Sequence, residues 1–241
     1  MAKECSFEWS GLDSVAGSCL RPGGSVLTRK ALQFCKLNRS SRVIDIGCGV
    51  GGSLEVLDKT GFQDVMGIDS SATLLGRAAN KAKGATLVQG NAEAMPLKTS
   101  VFDAIFCECV LSILADKTSA LCEFARILRN DGMLIMSDVF LKNTSGKQMG
   151  TTENTTDRLF GKEEVMELVS QTGFSIELWE EHGRALKEFA ARMILAGTSL
   201  PALWGCSKIA LKEPRVSLSY FLLIAKKTYE NQTDRMGGIK R

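Results

Sequence analysis

Histidine is almost absent from this chain: there is one, His182, in 241 residues. The eight cysteines form no C-x-x-C pair, and the two nearest each other are Cys107 and Cys109. A zinc site gathers several thiolates or imidazoles at set spacings, so no metal centre is expected. Irregularly spaced cysteines are instead what reduced, mostly buried thiols look like. The first residues, MAKECSFEWSGLDS, lack the basic-then-apolar layout of a secretory leader. No apolar run approaches the roughly 18 residues of a membrane span. The nearest, Val216 to Lys226, is too short and reads as a strand. The expected compartment is therefore the cytoplasm, and the N-x-S/T sequons at Asn38, Asn143, Asn154 and Asn231 carry no weight there. Neither sign of charge dominates: 27 acids stand against 30 bases, a net charge of +3, with no dense Lys/Arg run. A nucleic-acid partner held by bulk charge is not expected. There is also no internal repeat and no low-complexity linker.

What is present is an alternation of strand-like and helix-like segments. Strand readings fall on Arg42–Gly47, Asp64–Asp69, Ala85–Gly90, Val101–Cys109 and Gly132–Phe140. Helix readings fall between them, on Gly52–Lys59, Ser70–Lys83 and Lys117–Leu128, with a helix before the first strand carrying Leu27, Ala31, Leu32 and Phe34. Asn130-Asp131-Gly132 is a turn signal. This order predicts a parallel, doubly wound α/β sheet whose ligands sit beyond the carboxyl ends of the strands. Farther on, Leu141–Arg158 reads as a loop, Lys162–Thr172 as a helix, Phe174–Glu181 as a strand and Arg184–Ala196 as a helix. Thr198–Pro214 gives no clear pattern, Val216–Lys226 is a last strand, and the tail after Lys227 is polar.

The run Gly47-Cys48-Gly49-Val50-Gly51-Gly52 satisfies G-x-G-x-x-G after a strand and before a helix. That device lets backbone approach a ligand closely, with a helix N-terminus behind it. Two cofactor classes use it. A dinucleotide lays its pyrophosphate there, whereas S-adenosylmethionine lays down an amino-acid tail whose ammonium needs an acceptor. Asp45, two residues before Gly47, suits the second and sits badly against a pyrophosphate. Asp69, closing the second strand, suits the ribose hydroxyls of either.

Gly90-Asn91-Ala92-Glu93-Ala94-Met95-Pro96-Leu97, followed by Phe102-Asp103-Ala104-Ile105, separates the two. Together with Val43–Gly52, Asp69, Phe102–Leu114 and Arg126–Gly132, these residues resemble the class I S-adenosylmethionine-dependent methyltransferases, in their small-molecule branch. The resemblance covers roughly residues 30–227. It implies a Rossmann-like seven-stranded sheet with an antiparallel last strand beside the fifth, and S-adenosyl-L-methionine as cofactor, leaving S-adenosyl-L-homocysteine. It implies that Asp45, Gly47 and Gly49 meet the methionine part, Asp69 the ribose, and Asn91 and Ala92 the adenine, with Cys48 and Ser70 also among the cofactor-binding residues. Asn91 stands where the family most often has Asp, which replaces a charge-assisted bond by a neutral one.

The same resemblance divides the chain into an N-terminal cap (1–40), a cofactor-binding core (41–140), substrate-side elements with the last strands (141–227) and a tail (228–241), all within one domain. Glu108 falls where the family lines the cofactor's methyl end; it is a candidate catalytic or cofactor-binding group, or a plain strand-end cap. His182 is a candidate general base or a surface residue. Arg21, in Gly17–Gly24, is placed to meet the cofactor's carboxylate or an anionic substrate, or else lies solvated in a helix-opening turn. Phe189–Trp204 is apolar enough for a lid, a subunit contact or an ordinary packed helix. No Asn/Asp-Pro-Pro-Tyr follows the fourth strand, which counts against the nucleic-acid and protein amide N-methyltransferases that use it, and no metal-carboxylate cluster of the catechol type is present. A small-molecule acceptor and a monomer or homodimer are expected. A catalytically silent cofactor-binding protein, a nicotinamide oxidoreductase and an arsenite methyltransferase remain as alternatives. The last would use Cys19, Cys107, Cys109 and Cys206, with Cys107 and Cys109 on one side of a strand.

Overall fold

The computed structural model describes residues 21–142, 159–196 and 217–228. The chain opens with helix α1 (Ser25–Cys35) and passes to strand β1 (Arg42–Ile46), helix α2 (Gly52–Thr60) and strand β2 (Asp64–Asp69). Helix α3 (Ala72–Lys81) and strands β3 (Thr86–Gln89) and β4 (Phe102–Glu108) follow. A 3-10 turn (Leu111–Ile113), helix α4 (Lys117–Ile127) and the long strand β5 (Leu128–Leu141) come next. Helix α5 (Lys162–Gln171), strand β6 (Phe174–Glu181), helix α6 (Gly183–Leu195) and strand β7 (Leu218–Lys227) complete the described residues.

The strands form one seven-stranded sheet in the order β3-β2-β1-β4-β5-β7-β6. The pairs β2–β3, β1–β2, β1–β4 and β4–β5 are parallel; β7 runs antiparallel between β5 and β6. The alternation of the sequence and the reversed last strand beside the fifth are both borne out.

Strand alternation divides the core between two faces. Ile44, Ile46, Ile105, Leu134 and Met136 face Ala120, Leu121 and Phe124 of α4 and Val165 and Val169 of α5. Val43, Ala104, Phe106 and Ile135 face the other way, against Ala31 of α1, Leu54 and Leu57 of α2, and Leu75 and Ala78 of α3. Asp45 and Glu108 continue this second face at the carboxyl ends of β1 and β4.

Two local readings change. The turn signal Asn130-Asp131-Gly132 lies inside β5, not before it. Leu128 pairs with Phe102 and Met133 with Ala104, so Arg129–Gly132 form an irregularity, with Asp131 at φ 63. The second correction concerns Cys107 and Cys109, expected on one side of a strand. β4 ends at Glu108 and Cys109 takes φ 59, a left-handed conformation that breaks the period-two alternation. Cys107 is buried in the α4-side core, while the Cys109 thiol turns to the Tyr220 hydroxyl at 3.1 Å. Cys19, Cys206, most of the expected loop, half of the expected lid, the Thr198–Pro214 stretch and the tail beyond Thr228 lie outside the described residues. No helix described is long and apolar enough to cross a membrane.

Candidate functional site

The glycine loop is built by its own backbone before any ligand arrives. Gly47 N–H and Cys48 N–H both donate to the Ile68 carbonyl of β2, at 2.8 and 3.1 Å, and Gly51 N–H donates to the Cys48 carbonyl at 2.8 Å. Gly47 sits at φ 67, and a Cβ there would lie 2.3 Å from Val110 Cγ2. Only glycine therefore fits between the loop and Val110, two residues past β4. Cys48 points its side chain into the core, where its sulfur packs over Gly67. Its contribution is to the loop's shape, and burial holds its thiol above the usual range.

Asp69 closes β2 with both carboxylate oxygens engaged. Oδ2 accepts from Gly49 N–H at 2.8 Å and Oδ1 from Ser71 N–H at 2.9 Å. The ribose acid of the sequence reading thus also braces the glycine loop and the start of α3. Ser70 is exposed; its carbonyl accepts from Gln89 Nε2 at 3.0 Å.

On the adenine-edge stretch, exposed Asn91 folds back on itself, its Oδ1 accepting from Glu93 N–H at 3.0 Å. Ala92 is buried. The next residues are clamped from α4: Glu123 accepts from Met95 N–H at 2.9 Å, and Arg126 donates to the carbonyls of Met95 and Leu97 at 3.2 and 2.7 Å. Arg126 also holds the Glu123 carboxyl below its usual range. The motif Arg therefore fixes the loop that carries Asn91 and Ala92, a role invisible in its spacing.

The densest polar cluster sits where β1 and β4 end under α1. Asp45 is 2% exposed and Glu108 7%. Arg21 lies 3.0 Å from Glu108, and Ser53, the second residue of α2, donates to Glu108 at 2.5 Å. Thr28 donates to the same carboxylate at 3.1 Å. Burial pushes the Asp45 carboxyl well above the usual carboxylate range; the Glu108 charge adds to this, and Arg21 and Ser53 oppose it. Sequence reading found Arg21, Asp45 and Glu108, and the structure brings them together. It missed Ser53 and Thr28, small hydroxyl residues whose positions carry no local signal.

His182 belongs to a different group. It caps α6, and its Nε2 lies 3.1 Å from Glu180 Oε2, which also accepts from Lys30 of α1. Its backbone N–H donates to the Tyr220 carbonyl at 2.7 Å. Buried Tyr220 in turn links Cys109 to Ser137 Oγ, at 3.1 and 3.0 Å.

Comparison with known proteins bears on this site. Residues 44–136 match the family described as a methyltransferase domain. Among curated proteins, the chain is 27% identical over 116 residues to the ubiquinone/menaquinone biosynthesis C-methyltransferase UbiE of Campylobacter jejuni subsp. jejuni serotype O:23/36 (strain 81-176), covering 46% of this chain and 49% of that one. It is 30% identical over 140 residues to the uncharacterized methyltransferase YodH of Bacillus subtilis (strain 168), covering 56% of this chain and 58% of that one. The chain spans about half the length of these curated relatives. Among solved structures, the [4+2]-cyclase SpnF is similar with a TM-score of 0.76 and 21% identity, over 91% of this chain and 92% of that one. A phosphoethanolamine N-methyltransferase 2 of Haemonchus contortus, solved with phosphomonomethylethanolamine and S-adenosylhomocysteine, gives a TM-score of 0.69 and 20% identity over 91% of this chain and 56% of that one.

Proposed function

We propose that this chain is a class I S-adenosylmethionine-dependent methyltransferase, transferring a methyl group from S-adenosyl-L-methionine to a small-molecule acceptor; the methyltransferase-domain match over residues 44–136 and the curated methyltransferase relatives support this reading. The observation that carries the reading is the charge pattern beside the glycine loop. Asp45, Glu108 and Asp69 are acids around a loop that a dinucleotide would fill with a pyrophosphate, and Arg21 is the guanidinium facing Glu108. Negative groups on both sides would repel each other in a low-dielectric pocket. A zwitterionic amino-acid tail reverses the balance, its ammonium drawn to Asp45 and its carboxylate to Arg21.

The remaining roles are assigned on the family's pattern. The backbone of Gly47–Gly49 passes close to the methionine part, Asp69 receives the ribose hydroxyls, and Asn91 with Ala92 frames the adenine edge. When bound, the cofactor supplies a methyl carbon already activated by its sulfonium. The chain has then to align an acceptor in line with that carbon, exclude water and let the acceptor's proton leave. Curated relatives named for C-methylation and for N-methylation of phosphoethanolamine match parts of this chain, as expected if the cofactor half is common and the acceptor half varies.

The test is calorimetry with S-adenosylhomocysteine beside NADH. Saturable binding of S-adenosylhomocysteine, with no heat from NADH, is the expected result. Binding of NADH alone would overturn the proposal in favour of an oxidoreductase.

A further inference from the structure

Four side chains from separate parts of the chain close a ring under α1. Arg21 donates through one terminal nitrogen to Ser53 Oγ at 2.9 Å and through the other to Thr28 Oγ1 at 2.5 Å. Thr28 then donates to Glu108 Oε1 at 3.1 Å and Ser53 to Glu108 Oε2 at 2.5 Å. The guanidinium also touches Glu108 Oε2 directly at 3.0 Å, with only 9% of the Arg21 side chain and 2% of the Glu108 side chain exposed. Its Nε donates to the Gly24 carbonyl at 3.2 Å.

Each hydroxyl has one proton and two lone pairs. Arg21 can only donate and an ionised Glu108 can only accept, so the Thr28 hydroxyl accepts from Arg21 and donates to Glu108, while the Ser53 hydroxyl accepts from Arg21 and has Glu108 and Asp45 as acceptors for its one proton. A buried ring in which every side chain is hydrogen-bonded to its neighbours is rigid. Glu108 is therefore committed. Its two oxygens receive three donors, and a general base would have to turn a lone pair toward the acceptor instead.

We propose that Thr28 and Ser53 are positioning residues which, through Glu108, hold Arg21 in the orientation that receives the carboxylate of the cofactor's tail. This rests on the reading of Arg21 given above. A free arginine side chain gives up its rotamer freedom on meeting a ligand. Here Thr28 from the first turn of α1, Ser53 from α2 and Glu108 from β4 have already removed that freedom. The same ring ties α1 to the sheet, so the cap over the site is set in place by the residues that aim the cation.

The experiment compares two probes that share adenosine and a thioether but differ in the tail: S-adenosylhomocysteine and 5′-methylthioadenosine, which has no amino acid. Thr28→Val and Ser53→Ala should each weaken S-adenosylhomocysteine by about tenfold, the scale of one hydrogen bond to a charged group. Affinity for 5′-methylthioadenosine should stay within about twofold by the same reasoning, because adenosine does not touch the ring. Thr28→Ser keeps the hydroxyl and should restore wild-type affinity for both probes. Equal weakening of both probes would mean loosened packing and would overturn the proposal, as would unchanged S-adenosylhomocysteine affinity in the Val and Ala variants. Should the wild-type protein bind neither probe, it is the family's cofactor that fails here, and the proposal falls with it.

Discussion

Asp69 Oδ2 accepts the Gly49 N–H at 2.8 Å while its Oδ1 accepts Ser71 N–H at 2.9 Å, so one carboxylate joins the glycine loop to the cap of the following helix. The loop is held by the residue proposed above to receive the ribose hydroxyls. Asp69→Ala removes both acceptors and should lower stability by about 1–3 kcal/mol. Asp69→Asn keeps a carbonyl acceptor and should cost less than the alanine change. Both should weaken S-adenosylhomocysteine, the alanine variant more, with melting curves and calorimetry as the paired readouts.

Gly47 makes a sharper prediction because two penalties act there. Its φ of 67 disfavours any side chain, and the added Cβ meets Val110 Cγ2 at 2.3 Å. Gly47→Ala should destabilise by more than the roughly 1–2 kcal/mol of the left-handed backbone alone. Pairing it with Val110→Ala relieves the clash and leaves the backbone cost. A double-mutant cycle should therefore show favourable coupling of about 1 kcal/mol or more.

Asp138 predicts a pH dependence. Burial pushes its carboxyl up to about 6 from 3.8, against the pull of hydrogen bonds from Ser112 N–H and Val139 N–H. Lys117 also pulls it down, but less. In the window between these values the native chain keeps a proton that the unfolded chain has lost. Stability from this group is complete below about pH 4 and is lost as pH rises through about 6, at most about 3 kcal/mol. Asp138→Asn should flatten that part of the profile relative to wild type. Chemical denaturation at pH 4, 5, 6 and 7 measures it; parallel profiles for the two proteins would sink the assignment.

Much of the site was legible because it is local. Asp45, Gly47, Gly49 and Asp69 lie at strand ends whose position follows from the alternation of β and α segments. The antiparallel last strand beside the fifth came with the family resemblance rather than from local pattern. The ring under α1 was not: Thr28 and Ser53 lie 80 and 55 residues from Glu108, and only the closed fold shows what they touch. Arg126 had the right spacing, but its hold on Met95 and Leu97 depends on α4 lying against that loop. Cys109 was misread for a different reason. Period-two alternation assumes extended backbone, and the left-handed turn at the strand's end rotated its thiol toward Tyr220.

β7 joins β6 to the rest of the sheet, since β6 pairs with β7 and β7 with β5. This arrangement sets an order for a nascent chain leaving the ribosome. Strands β1 to β5 can assemble as they emerge, but β6 then has no place in the sheet. The long apolar edge of β5, buried from Leu134 to Phe140 in the finished protein, is left open until Leu218–Lys227 arrive. An unpaired apolar edge is a template for wrong partners. The last strand described is thus also the sheet's seal, and a chain ending before it would leave the β5 edge unpaired.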